Sequence, residues 1–313
     1  MNTTLITEFI LLGLTDLPWL QKYLFVLILF CYFMDIFGNF TIIFLVIKDL
    51  TLHSPMYFLL AYLSFLDILF SSIIVPKMMA GFWMDNSISI KNCITQLYFA
   101  HTLGCTEGVL LAFMGYDRYV AICYPLRYVV IMGRNTCLKL FFLSWAVGLS
   151  SSSLVNAIMT ANLPFCSKNK VKHFFCDVKP VIKLACKDIS VNEITMTIVS
   201  GFVSMSTFSL TLLSYCYIAG HLIKVRSSQS RRKAFSTCSA HLTIVVLFYG
   251  AAVCTYLGPT SEISLEKDRI AALLFTVLSP TVNPIVYTLR NKEVRKSLRK
   301  CIKVSGKLNF ICS

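Results

Sequence analysis

The chain has 313 residues, of which 56% are hydrophobic and 14% charged, and its formal net charge is +14. A soluble domain carries about 45–50% apolar and about 25% charged residues. The mean hydropathy of +0.70 therefore excludes a disordered tail, a small disulfide scaffold and an ordinary cytosolic enzyme. The basic excess alone would suit a nucleic-acid binder, but such a protein needs a soluble, polar fold, and this composition is too apolar for one. The composition indicates a membrane protein with several spans and no nucleic-acid partner.

Seven stretches of 20 to 30 residues are long and apolar enough to cross the membrane, since about 20 such residues span the hydrocarbon layer. Their apolar runs are continuous, whereas barrel strands alternate between apolar and polar positions, so we predict helices. The stretches cover residues 23–47, 50–76, 92–116, 140–167, 194–223, 234–261 and 270–289. The predicted fold is an all-α membrane protein: an N-terminal segment over 1–22, a seven-helix bundle over 23–289 and a tail over 290–313.

The orientation follows from the basic residues, which concentrate on the cytoplasmic side of membrane proteins. With the N-terminus outside, the cytoplasmic loops and tail hold eighteen basic and three acidic residues. We therefore expect a multi-pass plasma-membrane protein with an extracellular N-terminus and a cytoplasmic C-terminus. The start of the chain has no basic leader, so the first span is expected to act as its own insertion signal. Asn2-Thr3-Thr4 is an acceptor for N-glycosylation.

The tail has the pattern of an amphipathic basic helix, NKEVRKSLRKCIKV over 291–304. Such a helix lies along the inner leaflet with its apolar face in the lipid. Cys301 within it is a candidate for lipidation, and a free thiol is the alternative.

Thirteen cysteines leave at least one unpaired. Four of them fall on the outer side, where disulfides persist: Cys93, Cys166, Cys176 and Cys186. Spacing alone leaves all three of their pairings open. A zinc site using His173 beside Cys176 is the rival interpretation, although the spacing matches no common zinc pattern.

Polar residues lie within several spans, and ionisable residues in the membrane are candidates for function. Asp67 and Glu107 are mid-span in the second and third helices, and Asn39, Ser279 and Asn283 lie in the first and seventh. One interpretation is a shared site for a proton or for a sodium ion bound at Asp67 and Glu107, since hard cations prefer oxygen ligands. The alternative is a hydrogen-bonded network that only fixes packing. The sequence offers no partner for Asp35.

Longer motifs reveal a family resemblance. MGYDRYVAICYPLRY (114–128) carries Asp117-Arg118-Tyr119 at the inner end of the third span, and Asn283-Pro284 opens NPIVYTLRNKEV (283–294) in the seventh. The first resembles the DRY signature and the second the NPxxY signature of rhodopsin-like G-protein-coupled receptors. LHSPMYFLLAYLSFLDI (52–68) and KAFSTCSAHLTIV (233–245) narrow the resemblance to the olfactory receptors. Gly115, Arg127 and Thr281-Val282 depart mildly from that family's usual residues.

The resemblance implies two disulfides, Cys93 with Cys176 and Cys166 with Cys186. It also implies a pocket for a small, hydrophobic, volatile odorant in the outer half of the bundle. Small residues at helical spacing surround His101 on the third helix, and close helix packing is their alternative interpretation. The ligand-binding candidates are His101, Gly104, Cys105, Gly108, Val199, Ser200, Val203, Tyr249, Val253, Tyr256 and Thr276.

On the cytoplasmic side the resemblance implies coupling to a stimulatory heterotrimeric G protein and a rise in cyclic AMP. Arg118 would pair with Asp117 at rest and meet the G protein when active, while Tyr215 and Tyr287 would move inward. The residues expected in coupling and activation are Asp117, Arg118, Tyr119, Tyr215, Asn283, Pro284 and Tyr287.

No catalytic constellation is present: there is no glycine-rich phosphate loop and no HExxH, so we expect no enzyme and no cofactor beyond the sodium ion. Two alternatives to an odorant receptor stay open. One is a receptor of the same fold for a metabolite in another tissue. The other is a proton- or sodium-coupled transporter, although such proteins usually have internal repeats.

Overall fold

The computed structural model describes residues 6–15, 17–166, 169–256 and 269–309. Within them, seven helices are long and apolar enough to cross a membrane, which confirms the predicted bundle. Six of them are α1 (Pro18–Lys48), α2 (Pro55–Ala80), α3 (Ile90–Cys123), α4 (Arg134–Ser152), α5 (Ser190–Lys224) and α6 (Ser228–Tyr256). The seventh, α7, spans Arg269–Thr288, and an eighth helix, α8, covers Lys292–Asn309.

Several helices begin at sequence signals. Pro18 and Pro55 stand in the first turns of α1 and α2, where a missing amide hydrogen costs nothing. The hydroxyl of Ser89 accepts a hydrogen bond from the backbone N–H of Asn92 at the start of α3. Because Pro18 is the first residue of α1, this helix starts before Tyr23, where its apolar stretch begins. Two segments are π-helical, Ser153–Ile158 after α4 and Leu274–Leu278 within α7.

α3 lies at the centre of the bundle and packs against α2, α4, α5 and α6, while α1 packs against α2 and α7. Gly148 of α4 shows how closely the helices approach, because a Cβ there would lie 2.7 Å from the carbonyl oxygen of Thr102 on α3. Small residues permit such contacts in membrane bundles. Large apolar side chains such as Phe37 and Phe202 are instead exposed on the outside of the helices, where lipid would cover them.

A three-stranded sheet, which the all-α prediction did not include, covers the outer end of the bundle. Its strands are β1 (Glu8–Leu11), β2 (Ser87–Ser89) and β3 (Lys170–Val171). β1 lies in the middle, antiparallel to β2 and parallel to β3. Phe9 and Leu11 alternate with more exposed residues and pack into a second apolar cluster with Leu97 and Val171. The sheet joins the N-terminal segment to two outer loops.

Candidate functional site

Two disulfides fix the long outer loop. Cys93 at the start of α3 is bonded to Cys176, and Cys166 is bonded to Cys186. Gln96 adds a polar contact to the first of them, since its Oε1 accepts a hydrogen bond from the backbone N–H of Cys176 at 3.0 Å. Because Cys176 is oxidised, it has no thiolate to share a zinc ion with His173, and the zinc interpretation is wrong for this pair.

The loop also places His173 inside the protein. The imidazole is 5% exposed and stacks on the ring of Phe174 with 4.6 Å between the ring centroids. Burial, together with the positive charge of Arg269, lowers the pKa of His173 to about 3. Phe174 and Phe175 belong to the main core of the bundle, so the loop acts as a packed lid over the helices.

His101 lies at the centre of the predicted ligand-binding residues. Its Nδ1 is 2.9 Å from the hydroxyl of Ser152 on α4, and its Nε2 is 3.1 Å from the hydroxyl of Ser200 on α5. Cys105, one turn further along α3, lies 3.5 Å from the hydroxyl of Ser151. One imidazole, one thiol and three hydroxyls thus meet between three helices, a set that could bind one polar group of a small ligand.

Below this polar group the pocket candidates become apolar. The ring of Phe275 lies beside Gly104 and that of Phe248 beside Gly108, and the two rings are 5.3 Å apart between centroids. The hydroxyl of Tyr249 donates to the carbonyl of Gly108 at 3.4 Å. Ser151, Ser152, Phe248 and Phe275 were not predicted as ligand-binding residues. A run of four serines over 150–153 inside an apolar span was the available signal for the first two.

The remaining ligand candidates do not form one group in the structure, because they differ in burial and in their neighbours. Val199 is half-buried beside the outer apolar cluster, and the backbone carbonyl of Val203 accepts a hydrogen bond from Thr207. Thr276 is fully buried and donates to the carbonyl of Ala272 in its own helix. Val253 is 52% exposed and is not brought together with His101. The side chain of Tyr256 lies outside the described residues.

A cavity of about 620 Å³ opens elsewhere, between the outer ends of α2 and α3 and the strands β1 and β2. Lys77 lies at its edge and donates a hydrogen bond to the carbonyl of Ser87 at 2.7 Å. None of the predicted ligand residues lines it.

A polar network lies at the middle of the bundle. Both carboxylate oxygens of Asp67 accept from the Asn283 side-chain N–H₂ group, at 3.1 and 2.9 Å, and Glu107 is 4% exposed. Among the described residues, the oxygens Ser279 Oγ and Asn283 Oδ1 have no hydrogen-bond partner. Carboxylate, amide and hydroxyl oxygens are the ligands that a hard cation prefers, so the donor set fits the sodium ion expected from the sequence.

The first helix joins this network at the turn of α7 from Pro280 to Pro284. A proline inside a helix disrupts the hydrogen-bond ladder, and this turn is called the kink of α7 below. Asn39 Nδ2 donates to Asp35 Oδ1 at 2.6 Å and to the carbonyl oxygen of Pro280 at 3.2 Å. Gly38 lies against the ring of Pro284, since a Cβ on it would come within 2.8 Å of the proline Cγ. No partner for Asp35 could be predicted, because nothing in the sequence shows which residue of α1 faces α7.

The inner end of α3 holds a buried ion pair. Arg118 is bonded to the carboxylate of Asp117, and the two residues are 7% and 1% exposed. The hydroxyl of Tyr128, in the loop after α3, donates to the other oxygen of Asp117 at 2.7 Å. Burial and the Asp117 carboxylate raise the pKa of Tyr128. The predicted pairing of Asp117 with Arg118 is thus present, with Tyr128 as a partner that the sequence analysis missed.

His241 connects α6 to both α3 and α5. Its Nε2 lies 3.1 Å from the carbonyl oxygen of Leu111, and its Nδ1 lies 2.7 Å from the hydroxyl of Tyr215. A carbonyl can only accept, so Nε2 carries a proton, and in the neutral imidazole Nδ1 then accepts from Tyr215. His241 lies within the motif KAFSTCSAHLTIV, and no role was predicted for it from the sequence.

The other coupling candidates surround this inner region. The ring of Tyr119 packs 5.6 Å from that of Tyr217 on α5. The Tyr287 hydroxyl is buried, and among the described residues it has no hydrogen-bond partner. Asn283 and Pro284 lie four and three residues before it, in the kinked part of α7. In this region both ring nitrogens of His241 therefore have partners, whereas the buried hydroxyl of Tyr287 has none among the described residues.

Comparison with known proteins agrees with this arrangement. The sequence model of the olfactory receptor family matches residues 28–304. The chain is 47% identical to human olfactory receptor 12D1 over 97% of this chain and 95% of that protein, and 45% identical to human olfactory receptor 12D2 over 97% and 99%. Mouse olfactory receptor 6B9 is 43% identical over 96% and 95%. The chain belongs to the olfactory receptor family of G-protein-coupled receptors.

Proposed function

We propose that this protein is an odorant receptor that binds a small volatile organic molecule within the helix bundle, activates a stimulatory heterotrimeric G protein and raises cyclic AMP. One observation carries the proposal. Between His101 and Arg118 on α3, two side chains of α6 donate hydrogen bonds to α3 carbonyls, Tyr249 to Gly108 and His241 to Leu111. The Tyr249–Gly108 contact is the one nearer to His101. A ligand that alters this contact therefore acts on α6 and on α3, the helix that carries Arg118.

The ligand class follows from the chemistry around His101. Small-molecule sites combine mostly apolar walls with a few fixed polar groups. Here Phe248 and Phe275 supply the walls, and His101, Ser152 and Ser200 supply donors and acceptors. A compact apolar molecule with one oxygen or sulfur function fits this set, because it can replace one hydroxyl partner of the imidazole.

The activation step is a change of partners at the cytoplasmic end. At rest, Asp117 pairs with Arg118 and accepts a hydrogen bond from Tyr128, and His241 holds Tyr215 close to α3. When α6 moves away from Leu111, Tyr215 is freed and Arg118 becomes available to the G protein. An odorant drives this change only by its greater affinity for the open arrangement.

The same proposal includes the orientation and the modifications. The N-terminus lies outside and the C-terminus inside the plasma membrane, as the excess of basic residues in the inner loops supports. α8, with its basic residues, lies on the anionic inner leaflet. Asn2, the glycosylation acceptor, lies outside the described residues. Cys301 of α8 is partly buried, and its lipidation stays a prediction.

Sodium is proposed as an allosteric modulator at Asp67 and Glu107. When bound, the ion neutralises carboxylates that have no described lysine or arginine partner, and the oxygens of Ser279 and Asn283 complete its ligands. Replacing sodium by choline in the assay buffer should change odorant potency. Asp67→Asn should make the potency independent of sodium, and equal sodium dependence in both proteins would contradict the site.

The experiment that tests the function is a cyclic-AMP reporter in cells with measured surface expression, challenged with a broad odorant panel. Wild type should respond to at least one odorant, and Arg118→Ala should reach the surface but signal poorly. A wild-type protein that is present at the surface and never changes cyclic AMP, with or without ligand, would contradict the proposal. Substrate flux that depends on Asp67 would favour the transporter instead.

A further inference from the structure

Asp35 is a buried carboxylate that faces Asn39 on its own helix and Ser71 on α2. It lies in the membrane interior of α1 and is 1% exposed. Its Oδ1 accepts from Asn39 Nδ2 at 2.6 Å, while its Oδ2 has no hydrogen-bond partner among the described residues. A buried carboxylate is expensive in a membrane, so the contact with Asn39 is the feature that needs an explanation.

The second contact of Asn39 is to a carbonyl that lacks its usual donor. Proline has no amide hydrogen, so Pro284 cannot bond to the carbonyl of Pro280 four residues before it. Asn39 Nδ2 lies 3.2 Å from that carbonyl oxygen and supplies the missing hydrogen bond from α1. Since Gly38 also contacts the ring of Pro284, the kink of α7 rests on two adjacent residues of α1.

Asp35 determines which way the Asn39 amide points. A side-chain amide has a donor end with two hydrogens and an acceptor end. The donor end gives one hydrogen to Asp35 and the other to Pro280. If the amide were reversed, its oxygen would face the oxygens of both Asp35 and Pro280, and both bonds would be lost. With an apolar residue in place of Asp35, the amide would keep only the Pro280 contact to hold it.

We propose that Asp35 is a positioning residue for α7: it orients the Asn39 amide so that the Pro280–Pro284 kink is held in the resting arrangement. The inference rests on the proposed receptor function, because the kinked part of α7 leads directly to Tyr287. Releasing the kink lets the inner end of α7 move without ligand, which raises the basal activity of the receptor.

Three variants separate this role from general packing. Asp35→Leu removes the acceptor, while Asp35→Asn keeps an oxygen that Asn39 can bond. Thr281→Val is the matched control, because the Thr281 hydroxyl also joins α7 to α1, by a 3.1 Å hydrogen bond to the carbonyl of Cys31, without touching the Pro280 carbonyl. All three are compared at equal surface expression in the cyclic-AMP assay.

We expect Asp35→Leu to raise basal signal relative to the odorant maximum by about threefold to tenfold, the factor that corresponds to the loss of one buried hydrogen bond. Asp35→Asn should restore the ratio nearly to that of wild type, and Thr281→Val should leave it unchanged. Equal ratios in Asp35→Leu and Thr281→Val, or no rescue by Asp35→Asn, would overturn the proposal.

A second measurement does not depend on G-protein coupling. A fluorine label on Lys292→Cys, an exposed position just beyond α7, reports the position of that helix end in purified receptor, with the unmodified chain as the blank for native cysteines. Asp35→Leu should increase the share of a second fluorine resonance, and the two other variants should not. If cyclic AMP never responds in any variant, the proposed function fails while the spectrum still decides the role of Asp35. An unchanged spectrum in Asp35→Leu overturns that role.

Discussion

The imidazole Nε2 of His241 lies 3.1 Å from the carbonyl oxygen of Leu111, which ties α6 directly to the backbone of α3. The same ring accepts a hydrogen bond from Tyr215, and it is 2% exposed. One neutral side chain therefore joins three helices a little under two turns above Arg118. A movement of α6 away from α3 and α5 would break both bonds.

Replacing His241 with phenylalanine should remove both bonds and weaken the resting arrangement. We expect basal cyclic AMP to rise by at least about threefold to tenfold at equal surface expression, which is the range for one buried hydrogen bond, because two bonds are lost. Tyr215→Phe provides the contrast. It removes the Tyr215–His241 bond and leaves the His241–Leu111 bond in place. Because it also removes the hydroxyl that is proposed to hold the active state, its odorant maximum should fall. A lower basal signal in His241→Phe would contradict the idea that the two His241 bonds stabilise the resting arrangement.

Tyr128→Phe should loosen the ion pair at the end of α3 without removing either of its charges. The variant deletes the donor to Asp117 and keeps the ring, so Asp117 loses one of its two partners. We expect a modest rise in basal cyclic AMP, smaller than that of Asp117→Asn, and an unchanged odorant potency. Tyr124→Phe is a suitable control because Tyr124 is exposed and does not contact Asp117. If both tyrosine variants behave alike, Tyr128 does not act through Asp117.

The two disulfides should differ in what their loss costs. Cys93→Ser frees the buried start of α3 from the loop, and we expect a loss of roughly 2–5 kcal/mol in folding stability, with little protein at the cell surface. Cys166→Ser opens a bridge within the loop itself and should reduce surface expression less. Cys301→Ser, in α8, is the control. Surface labelling of tagged receptor measures all three, and equal expression of the two disulfide variants would argue against separate roles.

The fold and the site differ in how far the sequence predicts them. Continuous apolar runs locate seven helices because lipid forces the backbone to satisfy its own hydrogen bonds. The sheet was not predicted, because β1 is only Glu8–Leu11 and pairs with segments distant in sequence. The partners of Asp35 and His241 could not be predicted either, for another reason. Each contact depends on how a helix is rotated about its own axis. A helix that is apolar on nearly every side does not show this rotation in its sequence.

The outer loop should lose stability in acid because of His173. Its folded pKa of about 3 lies below the ordinary value of 6.5, so the unfolded loop binds a proton more readily than the folded one. Stability is therefore complete above about pH 6.5 and falls progressively as the pH drops from there towards 3. Thermal melts of purified receptor should show this slope, and His173→Phe should flatten it. An equal slope in both proteins would place the acid sensitivity elsewhere.

The ligand site can be tested by contrasting a buried candidate with an exposed one. His101→Phe removes the imidazole that contacts Ser152 and Ser200, and it should weaken the odorant response by about tenfold or more in potency, since a polar ligand group loses its partner. Ser200→Ala should have a smaller effect, because Ser152 still holds the ring. Val253→Ala should leave potency unchanged, as Val253 is 52% exposed. The three variants are compared by dose–response curves at equal surface expression. A loss of potency in Val253→Ala with none in His101→Phe would move the ligand away from α3.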